Sequence, residues 1–399
     1  MKLLEETNIS LEVILLLVMG IVMLVLGCVL FLIAEGVLPY YEEGVVGLLL
    51  IIGSLQMQTT GKTQLGFLRR SWPVIITGFI IAMIGFVTCF VPGILGDFPK
   101  FLVVIFLGAG GILLLFQMVL SKDLYPLWKT LVDRVYTELY VSSGAVYILE
   151  ILIALMIALQ MFWQVFFIPE LWVIIFLAFG ISLFYLAVTL HKIYQIHPES
   201  DISTTTPGIP LDLVMGMQFA VFMVVVGSLL FLVSLGLLPF APSAQIGTMI
   251  VLLGVQALIV GNMMTFGFKR NWILLFIGLM FVAVGAFAVI VPDTILIFLS
   301  IFLGVFNILG GLYLFYILFG PKSESERPVQ KPNGKDGLLL ISNFGLAILN
   351  VILMIIFGVA TLIQNLIPVI IIGITLASWG LSQFVMLYIQ ELAKKKHLL

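Results

Sequence analysis

Glu150 is the one acidic residue well inside an apolar segment of this chain, a run that extends from residue 140 to residue 163. A charge at the centre of a bilayer costs about 2.5–3.5 kcal/mol on insertion scales, so intramembrane carboxyl groups usually face a cavity, a partner or a pathway. We therefore expect Glu150 to be protonated or paired. Two roles fit it: a proton or substrate site, or a protonated carboxyl that hydrogen-bonds a neighbouring helix.

Five amide side chains complete the candidate intramembrane polar site: Asn350, Gln56, Gln256, Gln164 and Gln364. Asn350 follows Glu150 by 200 residues and keeps a polar group without a titratable proton. The two glutamine pairs are separated by the same 200 residues. Amides related by symmetry are placed to line a site at the midplane, where repeat transporters bind their substrates, but buried amides also hydrogen-bond between helices.

Residue sets for enzymatic chemistry are missing from the sequence. Gly61, Lys62 and Thr63 resemble the end of a phosphate-binding loop, but Gln56 stands where the first glycine of that motif belongs. The histidines lie near predicted helix ends, and no predicted helix carries His or Cys at a metal-binding spacing. We expect no catalytic residues, no metal and no cofactor, and therefore a protein that is not an enzyme.

The composition places the chain in a membrane. Hydrophobic residues make up 62% of it, charged residues 10%, and the mean hydropathy is +1.27, whereas soluble domains carry about 25% charged residues. The net charge of -2 and the lack of a basic domain exclude nucleic acid as a partner. The expected partners are the lipid bilayer and either other membrane proteins or further copies of the chain in a homo-oligomer.

The chain contains two copies of one unit, offset by 200 residues without a gap. Glycines, prolines, tryptophans and arginines recur at this spacing: Gly27 and Gly227, Pro39 and Pro239, Arg70 and Arg270, Trp72 and Trp272, Gly110 and Gly310. An internal repeat fixes the architecture, because each copy must form a similar unit. We predict two domains, residues 1–200 and residues 201–399.

Six apolar segments in each copy are long enough to cross a bilayer, which takes about 20 residues of helix. They lie near residues 11–34, 44–60, 72–91, 99–120, 141–163 and 170–190, and again near 212–235, 244–262, 272–291, 294–319, 338–362 and 367–390. The second and eighth are the shortest. The predicted fold class is an all-α integral membrane protein with about twelve transmembrane helices.

The distribution of Lys and Arg predicts the orientation. On the twelve-span layout, all 18 basic residues except Lys100 fall on one face of the membrane, and positively charged short loops stay in the cytoplasm. We expect a multi-pass protein of the plasma or inner cell membrane with both termini cytoplasmic. Since each copy has six spans, the repeats are parallel and related by a pseudo-two-fold axis along the membrane normal.

A pattern of Trp, Gly and Pro marks the third span of each copy. Trp72, Gly78, Gly85 and Pro92 recur as a second series at the 200-residue offset: Trp272, Gly278, Gly285 and Pro292. Glycines seven residues apart lie on nearly one helix face, and small residues let helices approach closely in lipid. We expect helix packing at Gly78, Gly85, Gly278 and Gly285.

The series Trp-x5-Gly-x6-Gly-x6-Pro, followed by a helix that carries Gly110-Gly111 or Gly310-Gly311, resembles the hairpin repeat of the HdeD-type acid-resistance membrane protein family. Members of the family have three such hairpins, so the chain resembles two fused family units. The resemblance covers residues 11–120 and 211–320. It implies a non-enzymatic membrane protein in stress or acid tolerance or in membrane-complex assembly.

The alternative is a secondary transporter for a small solute, with Glu150 as its proton or substrate site. Two parallel six-helix halves resemble the major facilitator superfamily, but the loop at residues 59–71 lacks the Asp-Arg-x-Gly-Arg element of that superfamily. A transporter requires a polar cavity between the halves, lined by Glu150 and the paired glutamines. A structural protein requires a dry interface.

Overall fold

The computed structural model describes residues 9–60, 62–63, 66–67, 71–120, 134–163, 169–196, 209–260, 271–320, 335–363 and 366–395. Within them the first sequence copy forms six helices: α1 Leu11–Ala34, α2 Glu42–Thr60, α3 Trp72–Phe90, α4 Phe98–Leu120, α5 Arg134–Trp163 and α6 Pro169–Ile196. The second copy forms six more: α7 Leu211–Ser234, α8 Pro242–Val260, α9 Trp272–Ile290, α10 Leu296–Phe319, α11 Lys335–Leu362 and α12 Val369–Lys395. A two-residue antiparallel ladder joins Lys62–Thr63 (β1) to Gly66–Phe67 (β2).

Eleven of these helices are long and apolar enough to cross a membrane. The chain is therefore a multi-pass helical membrane protein, as predicted. The exception among the predicted spans is α2, which begins with Glu42 and Glu43 and carries Gln56 and Gln58. Its counterpart α8 is apolar enough to cross a membrane, because leucine replaces Gln58 and neither glutamate is present.

The helix boundaries of the two copies recur at the 200-residue offset. Helices α1 and α7, α2 and α8, and α3 and α9 begin and end at corresponding positions. The chain reverses after α1 and after α7 at Gly36 and Gly236, whose φ angles of 72° and 70° are left-handed. Glycine adopts this conformation without the steric cost that a side chain brings.

Caps and prolines fix the ends of several helices. The Ser10 hydroxyl accepts a hydrogen bond from the Val13 amide at 3.4 Å at the start of α1. Asn271 accepts one from the Leu274 amide at 2.8 Å at the start of α9. Both side chains satisfy amides that lack a partner within the helix. Helix α3 ends one residue before Val91, which is followed by Pro92.

Helix α4 differs from its counterpart α10 in its middle. It contains a π-helical turn, Ile105–Ala109, just before Gly110 and Gly111, whereas α10 is α-helical throughout. A π-turn of this kind inserts one extra residue into the helix and changes the direction of the side chains that follow.

The helices form two compact units. The first comprises Met1–Leu211 together with Ala241–Thr294, and the second comprises Asp212–Phe240 together with Ile295–Leu399. The boundary between the units therefore differs from the boundary between the sequence copies, because α8 and α9 of the second copy belong to the first unit. The division at residue 200 describes the duplication and stays a prediction as a domain boundary.

Glycines allow close helix contacts inside each unit. In the first unit, a methyl group on Gly27 of α1 would lie 2.8 Å from Leu177 of α6. In the second unit, a methyl group on Gly227 of α7 would lie 2.4 Å from the Ala377 amide nitrogen of α12. Backbones at this distance leave no room for a side chain, so α1 packs on α6 and α7 packs on α12 through their glycines.

Candidate functional site

Glu150 lies on α5 in a tight, buried contact with α4. The residue is 5% exposed, and its Oε2 atom has no hydrogen-bond partner within the described residues. A methyl group on Gly111 would approach Glu150 Cβ to 3.3 Å and Ile151 Cγ1 to 3.0 Å. Desolvation of an ion costs several kcal/mol, so this contact disfavours a carboxylate. Of the two expected states, protonated or paired, the described residues show no pairing partner for Oε2.

Asn350 occupies the equivalent place on α11 and is satisfied. The Ser382 hydroxyl of α12 donates to Asn350 Oδ1, and Asn350 Nδ2 donates to Met386 Sδ at 3.4 Å. The amide therefore connects α11 to α12, as buried amides do in other membrane proteins. Ser182 stands at the corresponding place on α6, yet no hydrogen bond joins it to Glu150 in the described part of the chain.

Gln56 lines a cavity of about 60 Å³ in the first unit. The cavity lies among α1, α2, α3 and α4, and its lining includes Met19, Met23, Ile81 and Val103. Its walls are mainly apolar, and Glu150 is not among them. The structure therefore does not bring Gln56 and Glu150 together in this cavity.

The other candidate amides do not join Gln56 at its cavity in the described part of the chain. Gln256 is half-buried on α8 and does not line the cavity that contains Gln56. Gln164 and Gln364 fall outside the described residues. Asn350 belongs to the second compact unit, whereas Glu150, Gln56 and Gln256 belong to the first.

The sequence analysis missed two fully buried amides, Gln58 and Gln218. Both are 0% exposed, and neither the oxygen nor the nitrogen of either amide has a partner among the described residues. A methyl group on Gly78 would lie 2.5 Å from Gln58 Cγ, and one on Gly278 would lie 2.6 Å from Leu258 Cγ. Gln58 thus fills the place that Leu258 fills in the second copy. Because its counterpart is apolar, the 200-residue symmetry does not mark Gln58 as one of an amide pair.

The predicted packing glycines lie against the preceding helix. A methyl group on Gly85 would lie 2.8 Å from the carbonyl oxygen of Gly47, and one on Gly285 would lie 2.6 Å from that of Gly247. These contacts join α3 to α2 and α9 to α8. The hairpin of the resembling family combines the third and fourth spans, whereas here the glycine face of the third span meets the second.

Two backbone hydrogen bonds connect helix hairpins from different sequence copies. The Tyr41 amide donates to the Ile290 carbonyl at 3.1 Å, and the Ala241 amide donates to the Phe90 carbonyl at 2.9 Å. Shifting either bond by 200 residues gives the other. We call these two bonds the reciprocal clasp. The Tyr41 hydroxyl adds a bond of 2.9 Å to the Cys89 carbonyl. The clasp joins the α2–α3 hairpin to the α8–α9 hairpin inside the first unit.

No known protein family, curated protein or solved structure matches the chain. Within the described residues, no three His, Cys, Asp or Glu side chains come together as a metal site. The arrangement offers close helix packing, one unpartnered buried carboxyl and a few buried amides.

Proposed function

We propose that this chain is a non-enzymatic, multi-pass membrane protein of the HdeD type, active in stress or acid tolerance or in the assembly of membrane complexes. Its role depends on a firmly packed helix assembly and not on a titrating residue. The observation that carries this proposal is the reciprocal clasp between Tyr41 and Ile290 and between Ala241 and Phe90.

The clasp argues against a transporter in which the two sequence copies rock against each other. Alternating access of that kind opens a gap around a site between the repeats. Here a methyl group on Gly44 of α2 would lie 2.5 Å from the Val289 carbonyl oxygen of α9. Opening a gap at this point would break both clasp bonds, and each buried backbone group left without a partner costs about 1–3 kcal/mol.

The clasp also supports a two-fold relation between the copies, since a two-fold axis makes each contact occur twice with the partners exchanged. With six spans in each copy and the basic residues on one face, the proposed axis runs along the membrane normal. Helix α2 then crosses the membrane as the twelfth span, and both termini face the cytoplasm of a plasma or inner cell membrane. The proposed partners are lipid and either other membrane proteins or a second copy of the chain.

The second candidate function is solute transport through Glu150. The observation in its favour is the buried Oε2 atom without a hydrogen-bond partner, because intramembrane ionisable groups often mark pathways. Against it, Glu150 is absent from the lining of the cavity that holds Gln56. The close contact with Gly111 favours the structural role of Glu150, a carboxyl that serves helix packing.

An engineered disulfide across the reciprocal clasp, which can be formed by oxidation and broken by reduction, tests the proposal. In a background with Cys28→Ser and Cys89→Ala, Tyr41→Cys and Ile290→Cys place a cysteine on each side of the 3.1 Å hydrogen bond. Backbones this close suit a disulfide, whose Cα atoms lie about 4.4–6.8 Å apart. Cells that lack their own acid resistance would express the wild type, the background and the locked protein, and survival after acid challenge would be counted.

We expect the locked protein to protect cells as well as the background does, because the proposed role requires no movement at the clasp. The single-cysteine variants control for the substitutions themselves. Loss of protection on oxidation, with recovery on reduction, would overturn the proposal in favour of a moving transporter. No protection by the wild type would remove the acid-tolerance role.

A further inference from the structure

A second cavity of the first unit has a polar wall that the proposed function does not use. It measures about 70 Å³ and lies among α1, α2, α4, α5 and α6. Its polar residues are Tyr40, Glu42, Lys100, Gln160 and Trp172. A single water needs about 10–15 Å³ of such space, so the cavity has room for a small polar group. We call it the Glu42–Lys100 pocket.

The charges of the pocket are already paired. Lys100 Nζ lies 2.9 Å from Glu42 Oε1 and 3.5 Å from Asp97 Oδ1. Glu43 follows Glu42 in the first turn of α2. Two carboxylates therefore pair with one ammonium, and Glu43 adds a further negative charge to the same helix turn, which leaves this part of the surface acidic. The excess of carboxylates would repel a simple anion here, and Lys100 would repel a simple cation.

Trp172 supplies a hydrogen-bond donor without a protein acceptor. Its side chain stacks on Phe176 with ring centroids 5.5 Å apart, and the residue is 6% exposed. Its Nε1 atom has no partner among the described residues. The Trp172 ring lines the pocket. A buried indole N–H usually finds an acceptor, and a small rotation of the ring would bring this fully buried donor to an acceptor on a bound molecule.

The polar set is specific to the first sequence copy. At the 200-residue offset, Phe240 replaces Tyr40 and Pro242 replaces Glu42. Further along, the second copy has Ser300, Ala360 and Ile372 in place of Lys100, Gln160 and Trp172. The carboxylates at positions 43 and 97 correspond to Ser243 and Ile297. Helix formation does not require these side chains, since the second copy forms the same helices without them.

We propose that the Glu42–Lys100 pocket binds the zwitterionic headgroup of a phosphatidylethanolamine lipid. The phosphate accepts hydrogen bonds from the Trp172 indole and from Lys100. The primary ammonium donates to the carboxylates of Glu42 and Asp97. This arrangement gives the Trp172 indole an acceptor and places the phosphate beside Lys100 and the ammonium beside the carboxylates.

The surroundings of the pocket suit a lipid better than a free solute. On the same turn of α4 as Lys100, Phe98 and Phe101 are 51% and 46% exposed. Acyl chains attached to the headgroup would cover these aromatic side chains. A small zwitterion without chains would gain only the headgroup contacts.

The test measures lipid binding to the full chain after purification in detergent with the lipid removed. Phosphatidylethanolamine, phosphatidylcholine and phosphatidylglycerol are titrated separately, and bound lipid is counted by native mass spectrometry. We expect the wild type to prefer phosphatidylethanolamine. Trp172→Phe and Lys100→Ser should each weaken its binding about tenfold, the loss expected for one hydrogen bond to a charged group.

Two variants provide matched controls. Trp379 is also buried with an unpartnered Nε1 atom, but it lies against Phe219 and Phe357 and does not line the pocket. Lys192 also forms an ion pair, with Glu138 at 3.8 Å. Trp379→Phe and Lys192→Ser should leave phosphatidylethanolamine binding unchanged. Melting temperatures without lipid confirm that each variant is folded.

Three results would overturn the inference. Unchanged phosphatidylethanolamine binding in both pocket variants would remove the site. A preference for phosphatidylglycerol that the same variants abolish would replace the zwitterion by an anion. Equally tight binding of soluble glycerophosphoethanolamine would exclude a lipid as the source of the headgroup. None of these results depends on acid survival, so this inference and the proposed function fail separately.

Discussion

Gly47 and Gly85 face each other so closely that neither position has room for a methyl group. The Gly85 carbonyl oxygen lies 2.5 Å from the place of a methyl carbon on Gly47, and the Gly47 carbonyl oxygen lies 2.8 Å from the place of one on Gly85. Both obstacles are backbone atoms of α2 and α3, which do not rotate away as a side chain does. The contact therefore sets the distance between the two helices.

The first prediction follows from this contact. Gly85→Leu should lower the free energy of unfolding by at least about 1–3 kcal/mol, because the larger side chain forces the helix backbones apart. A melting curve in detergent measures the change. Gly345→Leu is the matched control, since Gly345 is also within a helix and has no atom within 4 Å of the added carbon. Equal melting temperatures for the two variants would contradict the packing role of Gly85.

The second prediction concerns topology. Val37 follows α1 and Ile196 ends α6, and both are well exposed, at 66% and 53%. On the twelve-span layout they lie on opposite sides of the membrane. In a background without Cys28 and Cys89, an impermeant thiol reagent applied outside intact cells should label Val37→Cys and should not label Ile196→Cys. Labelling of both from outside would exclude the proposed orientation.

The duplication explains how far the sequence alone could lead. Because Gly85 and Gly285 recur with Trp72 and Trp272, the helical repeat and its close-packed faces were visible as spacing. The helix that packs on each glycine face could not be predicted from the sequence, since Gly78 and Gly85 allow any neighbouring helix to approach α3 closely. The contact of Ala241 with Phe90 depends on an amide N–H and a carbonyl, which every residue except proline has.

The candidate polar site was harder to predict for a different reason. The 200-residue offset selected residues that recur as polar pairs, such as Gln56 with Gln256. The pocket around Lys100 and Trp172 depends on residues that differ between the copies, so a search for recurrence could not find it. Buried Gln58 was missed for the same reason, since Leu258 is its counterpart.

The third prediction compares two serines at equivalent positions. Ser382→Ala should destabilise the protein by about 0.6–1.7 kcal/mol, the range for hydrogen bonds between membrane helices, because it removes the donor to Asn350 Oδ1. Ser182→Ala should have a smaller effect, since no hydrogen bond joins Ser182 to Glu150 within the described residues. Chemical denaturation in detergent measures both changes. A larger loss for Ser182→Ala would mean that Glu150 is bonded to that serine.

The fourth prediction tests Glu150 itself, whose Oε2 atom lies buried without a partner beside Gly111. Glu150→Gln keeps the shape of the side chain and removes its proton. We expect this variant to fold and to protect cells from acid as the wild type does, because Asn350 already provides an amide at the equivalent place in the second copy. Proton flux in reconstituted vesicles should also be equal for the two proteins. Wild-type flux that Glu150→Gln abolishes, with the melting temperature unchanged, would make Glu150 a titrating residue and favour the transporter.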